Sequence, residues 1–195
     1  MPPGRPRAFD TEEVLEKALC VFWQKGYEGT SMPDLTKAMG INRPSIYAAF
    51  GNKETLFRKA LDLYIGRKHA RVRQALDDST AQNGMSRIFH EMANALVRTD
   101  EPKGCLLVQG ALTCSEAAED IRKELELRRK DIELILLERF QKAHQDGELP
   151  PKADPVALAR FMATVMHGIA VQASSGASIP EMIAIGDIAM QAWPC

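Results

Sequence analysis

No stretch constrains this chain more than Ser31 to Phe50, which reads Ser-Met-Pro-Asp-Leu-Thr-Lys-Ala-Met-Gly-Ile-Asn-Arg-Pro-Ser-Ile-Tyr-Ala-Ala-Phe. The pattern predicts two short helices joined by a tight turn. Ser31 caps the first helix, and Asp34 sits in its first turn, beside the positive end of the helix dipole. Met32, Leu35, Ala38 and Met39 recur on one face. Gly40 ends that helix, because glycine accepts the left-handed backbone common at helix ends. Ile41 plugs the corner. Asn42 caps a second helix, and Pro44 occupies its first turn, where a missing N–H costs little. Ile46 and Phe50 share one side, so Arg43, Ser45, Tyr47, Ala48 and Ala49 face elsewhere.

A short helix that exposes one arginine, hydroxyls and alanines suits the major groove of DNA. Arginine reads guanine through two parallel N–H groups. Ser and Tyr hydroxyls reach phosphates or bases, and alanine touches a thymine methyl. By pattern this is a helix-turn-helix; the competing reading is an ordinary helical hairpin in a core. Charge distribution bears on the choice. The chain has a net charge of −1, but residues 1–70 carry an excess of three positive charges and the remainder an excess of four negative ones. A basic head on an acidic body fits a DNA reader attached to something else.

The flanks extend the pattern. Residues 1–8 are expected to form a flexible basic arm. Arg5 and Arg7 either lie in the minor groove of an A·T-rich tract or merely add charge to a ragged terminus. Asp10 and Glu13 predict the start of a helix that ends at Gly26. Thr30 and Ser31 are placed to donate to a phosphate at the start of the next helix. Asn52 caps a fourth helix with Lys53 in its first turn, an unfavourable place for a cation unless an external anion offsets it. Arg67, Lys68, Arg71 and Arg73, further along, read as a solvated face or a second DNA patch. The expected division is a helix-turn-helix domain over 9–52 and a body over 53–195. The polar run from Asp77 to Gly84 is the clearest linker.

β-branched runs are scarce, so the expected fold is all-α: three N-terminal helices plus a C-terminal helical bundle, about nine helices in all. The last two, from Pro155 to about Ser174 and from Ser178 to about Trp193, are apolar nearly all round. One face of each meets the chain's own core and the other needs a second surface. Phe161, Val165, Ile169, Met182, Ile185, Ile188 and Met190 are therefore expected at a four-helix homodimer interface, with burial in a larger monomeric bundle as the alternative. Ala163, Gly168, Ala170, Ala173 and Gly186 allow close helix approach. Met85, Phe89, Met92, Cys105, Gln109, Met162, Met166 and His167 either line a pocket for an apolar or weakly polar small molecule or form plain core.

Catalytic motifs are missing. The histidines at 69, 90, 144 and 167 are scattered, and no Walker loop, GxGxxG, CxxC or zinc spacing occurs. No catalytic residue, metal or cofactor is assigned. Cys105 and Cys114 are sensors of oxidants or electrophiles if activated, and otherwise inert buried thiols. The start lacks an apolar leader, and the longest apolar stretch, 161–173, is interrupted by His167, Gly168 and Gln172. It reads as too short and too polar for a membrane span, and a cytoplasmic location is expected.

Residues 9–57 resemble the DNA-binding domain of the TetR family of bacterial transcription regulators. The matching positions are Phe22, Gly26, Tyr27, Thr30 and Ser31, then Leu35, Ala38, Gly40, Ile41, Asn42, Ile46, Tyr47, Phe50, Lys53, Leu56 and Phe57. Pro44 stands where the family often has glycine, and Ala49 where it often has histidine, which removes one phosphate contact. The resemblance implies a homodimer joined through its last two helices on a palindromic double-stranded operator, with Lys53 against a phosphate. It also implies a small-molecule effector in the body that shifts the dimer to a state unable to span successive major grooves. A repressor is the family's usual role. A helical enzyme with a hidden site, and an interaction adaptor that keeps the helix-turn-helix as scaffold, stay open beside it.

Overall fold

The structure, a computed structural model, describes residues 9–97, 101–112 and 118–194. Arg5, Arg7, the rest of the expected basic arm, and Cys114 lie outside the described residues. Within them the regular elements are helices: α1 Thr11–Gly29, α2 Met32–Met39, α3 Arg43–Phe50, α4 Lys53–Leu76, α5 Ala81–Ala95, α6 Leu106–Leu112, α7 Glu119–Gln145, α8 Pro155–Ser174 and α9 Ile179–Met190. Two compact units form, Met1–Tyr64 and Ile65–Cys195. The division falls inside α4.

In the first unit, Asp10 caps α1 by accepting from the backbone N–H groups of Glu12 and Glu13. Helical geometry breaks at Gly26. α1 packs on α2, and α2 on α3. Phe22, Leu35, Met39, Ile46, Phe50, Leu56 and Phe57 form the buried interior. Phe57 receives edge-to-face contacts from Phe22 and Tyr27, with ring centroids 5.1 and 5.2 Å away. Each such pair adds about 0.5–1.5 kcal/mol beyond its buried area. The start of α4 is thereby fastened to α1, which fixes the platform beneath α3.

In the second unit α7 packs on α8, α5 on α9, and α6 on both α7 and α8. Its core gathers Leu76, Met85, Phe89, Leu136, Phe140, Met162, Met166, Ile169, Met182 and Trp193. α9 lies so near α5 that a Cβ on Gly186 would stand 2.7 Å from the Cβ of Phe89. Gly186 therefore serves contact within the chain. Ala163, Ala170 and Ala173 are buried in the same way.

Several expectations need correcting. Ile169 and Met182 are fully buried inside the unit and are withdrawn from the outward face of α8 and α9. The polar run ends sooner than read, because the Thr80 hydroxyl accepts the Asn83 N–H at 3.1 Å and starts α5 at Ala81. α8, at 20 residues, is long and apolar enough to cross a membrane by length and composition alone, contrary to the reading of residues 161–173. Leu158, Met162, Met166 and Ala173 commit one side of it to the core.

Candidate nucleic-acid interface

The turn between α2 and α3 is set by backbone geometry. Gly40 adopts a left-handed conformation, φ 69°, and its N–H closes on the Thr36 carbonyl. Two residues later Asn42 accepts the Ser45 N–H at 2.9 Å and starts α3. Ile46 and Phe50 point inward and are buried. Arg43, Pro44, Tyr47 and Ala48 are exposed, while Ser45 and Ala49 are half-buried. The four exposed residues fall at i, i+1, i+4 and i+5, so they form one face.

That face is cationic. α3 carries no acidic residue. Arg43 donates from Nε and Nη2 to the Tyr47 hydroxyl oxygen, at 3.2 and 2.9 Å. Its Cζ lies 5.4 Å from the Tyr47 ring centroid. A one-turn spacing brings the two side chains together.

At the start of α2, Thr30 departs from its expected role, while Ser31 caps the helix as expected. Thr30 is 1% exposed, and its hydroxyl donates to the Gly26 carbonyl at 2.7 Å. The side chain ties the kink at the end of α1 and is corrected from phosphate donor to internal strut. Ser31 is exposed, but its hydroxyl donates to Asp34 at 2.6 Å within a reciprocal capping box. Asp34 also accepts from Lys25 at 2.6 Å. Lys25 and the Ser31 hydroxyl and N–H hold the Asp34 carboxyl well below the usual carboxylate range. The pair at 30–31 thus stabilises the helix start in this conformation.

Lys53 opens α4, where Asn52 accepts the Thr55 N–H at 2.8 Å. Its ammonium lies 4.5 Å from the Tyr27 ring centroid. Partial burial pulls its pKa down, and Glu28 pulls weakly the other way. The cation is seated on an aromatic face instead of extending into solvent.

In the second unit, Met85, Phe89, Met162 and Met166 belong to the hydrophobic core, with Met92 packed against it. Cys105 is buried and Gln109 half-buried. Lys68 donates to the Cys105 sulfur at 3.3 Å. His167 is pushed down to about 4, by burial first and then by the Lys68 and Arg129 cations, with Glu133 opposing. Arg129 also donates to the Leu107 carbonyl at 3.0 Å. The eight expected pocket residues therefore separate into an apolar core group and a polar group around Cys105 and His167. An open groove of about 780 Å³, lined in part by Arg73, Leu76, Arg139, Lys142 and Glu148, includes none of them.

Lys68 and Arg129 were missed as members of that polar group, and Lys68 left a signal. It falls between Ile65 and Val72 on the buried stripe of α4, at the position where an apolar residue would continue the period.

Comparison with known proteins covers both units. Residues 14–60 match bacterial regulatory proteins of the tetR family, and residues 84–177 match the tetracyclin repressor-like C-terminal domain. The transcriptional repressor ComR of Escherichia coli (strain K12) is 35% identical over 98% of this chain and 92% of its own. The repressor BdcR of the same organism is 31% identical over 97% and 92%. A cysteine mutant of the TetR family regulator CifR, complexed with 26bp double-strand operator DNA, superposes with a TM-score of 0.94 at 40% identity, covering 98% of this chain and all of that one. With both units matched and relatives aligned over nearly their full length, the chain belongs to the TetR family of transcription regulators, which are DNA-binding proteins and not enzymes.

Proposed function

We propose that this protein is a repressor that binds a palindromic operator as a homodimer and lets go when a small molecule occupies its body. The observation that carries the reading is the exposed face of α3. Arg43, Pro44, Tyr47 and Ala48 share it, on a helix whose opposite side is spent on the core. Arg43, held by Tyr47, reads a guanine, Ala48 meets a thymine methyl, and the Ser45 hydroxyl and the Asn42 amide reach the backbone. Lys53 exchanges the Tyr27 ring for a phosphate. Arg5 and Arg7 follow the adjacent minor groove. The likeness to operator-bound CifR supports this mode of binding.

Two copies join through the outward sides of α8 and α9. Phe161 (42% exposed), Ile185 (36%) and Ile188 (65%) are large apolar side chains left on that side, with Val165 and Met190 half-buried beside them. Their exposure supports a second copy as cover. The effector is an apolar or weakly polar molecule that enters beside the polar group of Cys105, Gln109 and His167 and displaces the methionine-rich core of Met85, Met92, Met162 and Met166. The protein acts in the cytoplasm, where its DNA is.

Selection of bound duplexes from a random DNA pool tests the reading. Enrichment of a palindrome with half-sites one helical turn apart, about 34–36 Å, is the expected result. Folded dimer, stripped of ligand, that enriches no sequence overturns it.

A further inference from the structure

The hydrogen bonds between Arg43 and Tyr47 settle which edge of the guanidinium is spent. A guanidinium offers two forks: a side edge from Nε and Nη2, and an end edge from Nη1 and Nη2. Here Nε and Nη2 both converge on the Tyr47 hydroxyl oxygen, at 3.2 and 2.9 Å. The side edge is occupied, and the end edge faces away from the tyrosine. Two parallel N–H groups are what guanine O6 and N7 require. Having accepted from a cation, the Tyr47 hydroxyl keeps its own proton to donate outward.

We propose that Tyr47 is a positioning residue for base reading: it clamps the side edge of Arg43 so that the end edge is presented to guanine before DNA arrives. This rests on the reading of Arg43 as the base-contacting residue. Arginine has many rotamers, and freezing such a side chain on binding is costly. The clamp places that cost in the folding of α3. It also fixes the direction of approach, because a guanidinium held at one edge and 5.4 Å from the ring centroid cannot swing to a neighbouring base step. Tyr47 therefore raises discrimination between sequences more than it raises affinity for DNA as such.

The test compares Tyr47→Phe, which keeps the ring and removes the hydroxyl, with Arg43→Ala and the double variant. The probes are the duplex enriched from the random pool and its single-base replacements. Arg43→Ala should lower the discrimination ratio at one base pair by about five- to 150-fold. Tyr47→Phe should lower it at the same base pair by about three- to tenfold. Its salt dependence and melting temperature should stay at wild-type values. In the Arg43→Ala background, Tyr47→Phe should leave the ratio at that position unchanged. Equal weakening of all duplexes by Tyr47→Phe, with the ratio intact, overturns the proposal and makes Tyr47 a plain phosphate contact. An unchanged ratio in Arg43→Ala overturns the reading of Arg43 and the clamp with it. A readout without DNA stands beside these: ¹⁵N relaxation of the Arg43 Nε–H should report an ordered group in the wild-type dimer and a mobile one in Tyr47→Phe. Equal mobility in the two overturns the clamp whatever the operator.

Discussion

Lys53 holds an ammonium between two partners, the Tyr27 ring and the phosphate proposed for it. Replacing it with alanine should weaken binding to all duplexes alike and lower the slope of log affinity against log salt by about one. A sequence-dependent loss in the binding titrations would remove it from the backbone contacts. His167 makes a different prediction. Its folded-state pKa, about 4, lies below the 6.5 of an unperturbed histidine. A neutral His167 therefore contributes fully above pH 6.5. As pH falls from 6.5 to 4 the unfolded chain takes up a proton that the folded chain refuses, and stability is lost. Thermal melts of wild type and His167→Gln from pH 7 to pH 4 should show the wild type losing ground across that window. Parallel curves would mean that solvent reaches the ring.

Two glycines of the body should respond in opposite ways. A Cβ on Gly186 of α9 would meet Phe89 of α5 at 2.7 Å, whereas one on Gly66 of α4 meets nothing within 4 Å. Gly186→Ala should therefore cost about 1–3 kcal/mol as α5 and α9 are forced apart. Gly66→Ala should gain about 0.8–1.0 kcal/mol from helix propensity. Urea unfolding of the two variants measures both, and a stable Gly186→Ala would show that the helices can slide. The same scale shows what was legible beforehand. Caps at Ser31 and Asn42 could be read, because a cap is a local contract between a side chain and the next turn. The inward side of α8 and α9 could not. Helices apolar all round carry no periodic contrast, so Ile169 and Ile188 look alike in sequence and end at 0% and 65% exposure. Thr30 was misjudged for a related reason. A hydroxyl at a helix start satisfies the protein or a phosphate with the same spacing, and only the positions of Gly26 and Asp34 decide between them.

The whole molecule works only as a pair if the proposed interface is right. Phe161→Glu with Ile188→Glu puts charges on the outward side of α8 and α9 without entering the core, and should leave a folded monomer in sedimentation equilibrium. Linking two half-site readers raises affinity by about 10²–10⁴ over one, so operator binding should fall by that factor. A double variant that still sediments as a dimer would locate the interface elsewhere. At this scale the two sides of α3 also carry a consequence for descent. Ile46 and Phe50 answer to the interior, while Arg43, Pro44, Tyr47 and Ala48 make no demand on it. Instructions for folding and instructions for addressing are written on different letters of one eight-residue word. A lineage can rewrite the address, and so acquire new genes to govern, while the spelling that makes the protein stand remains untouched.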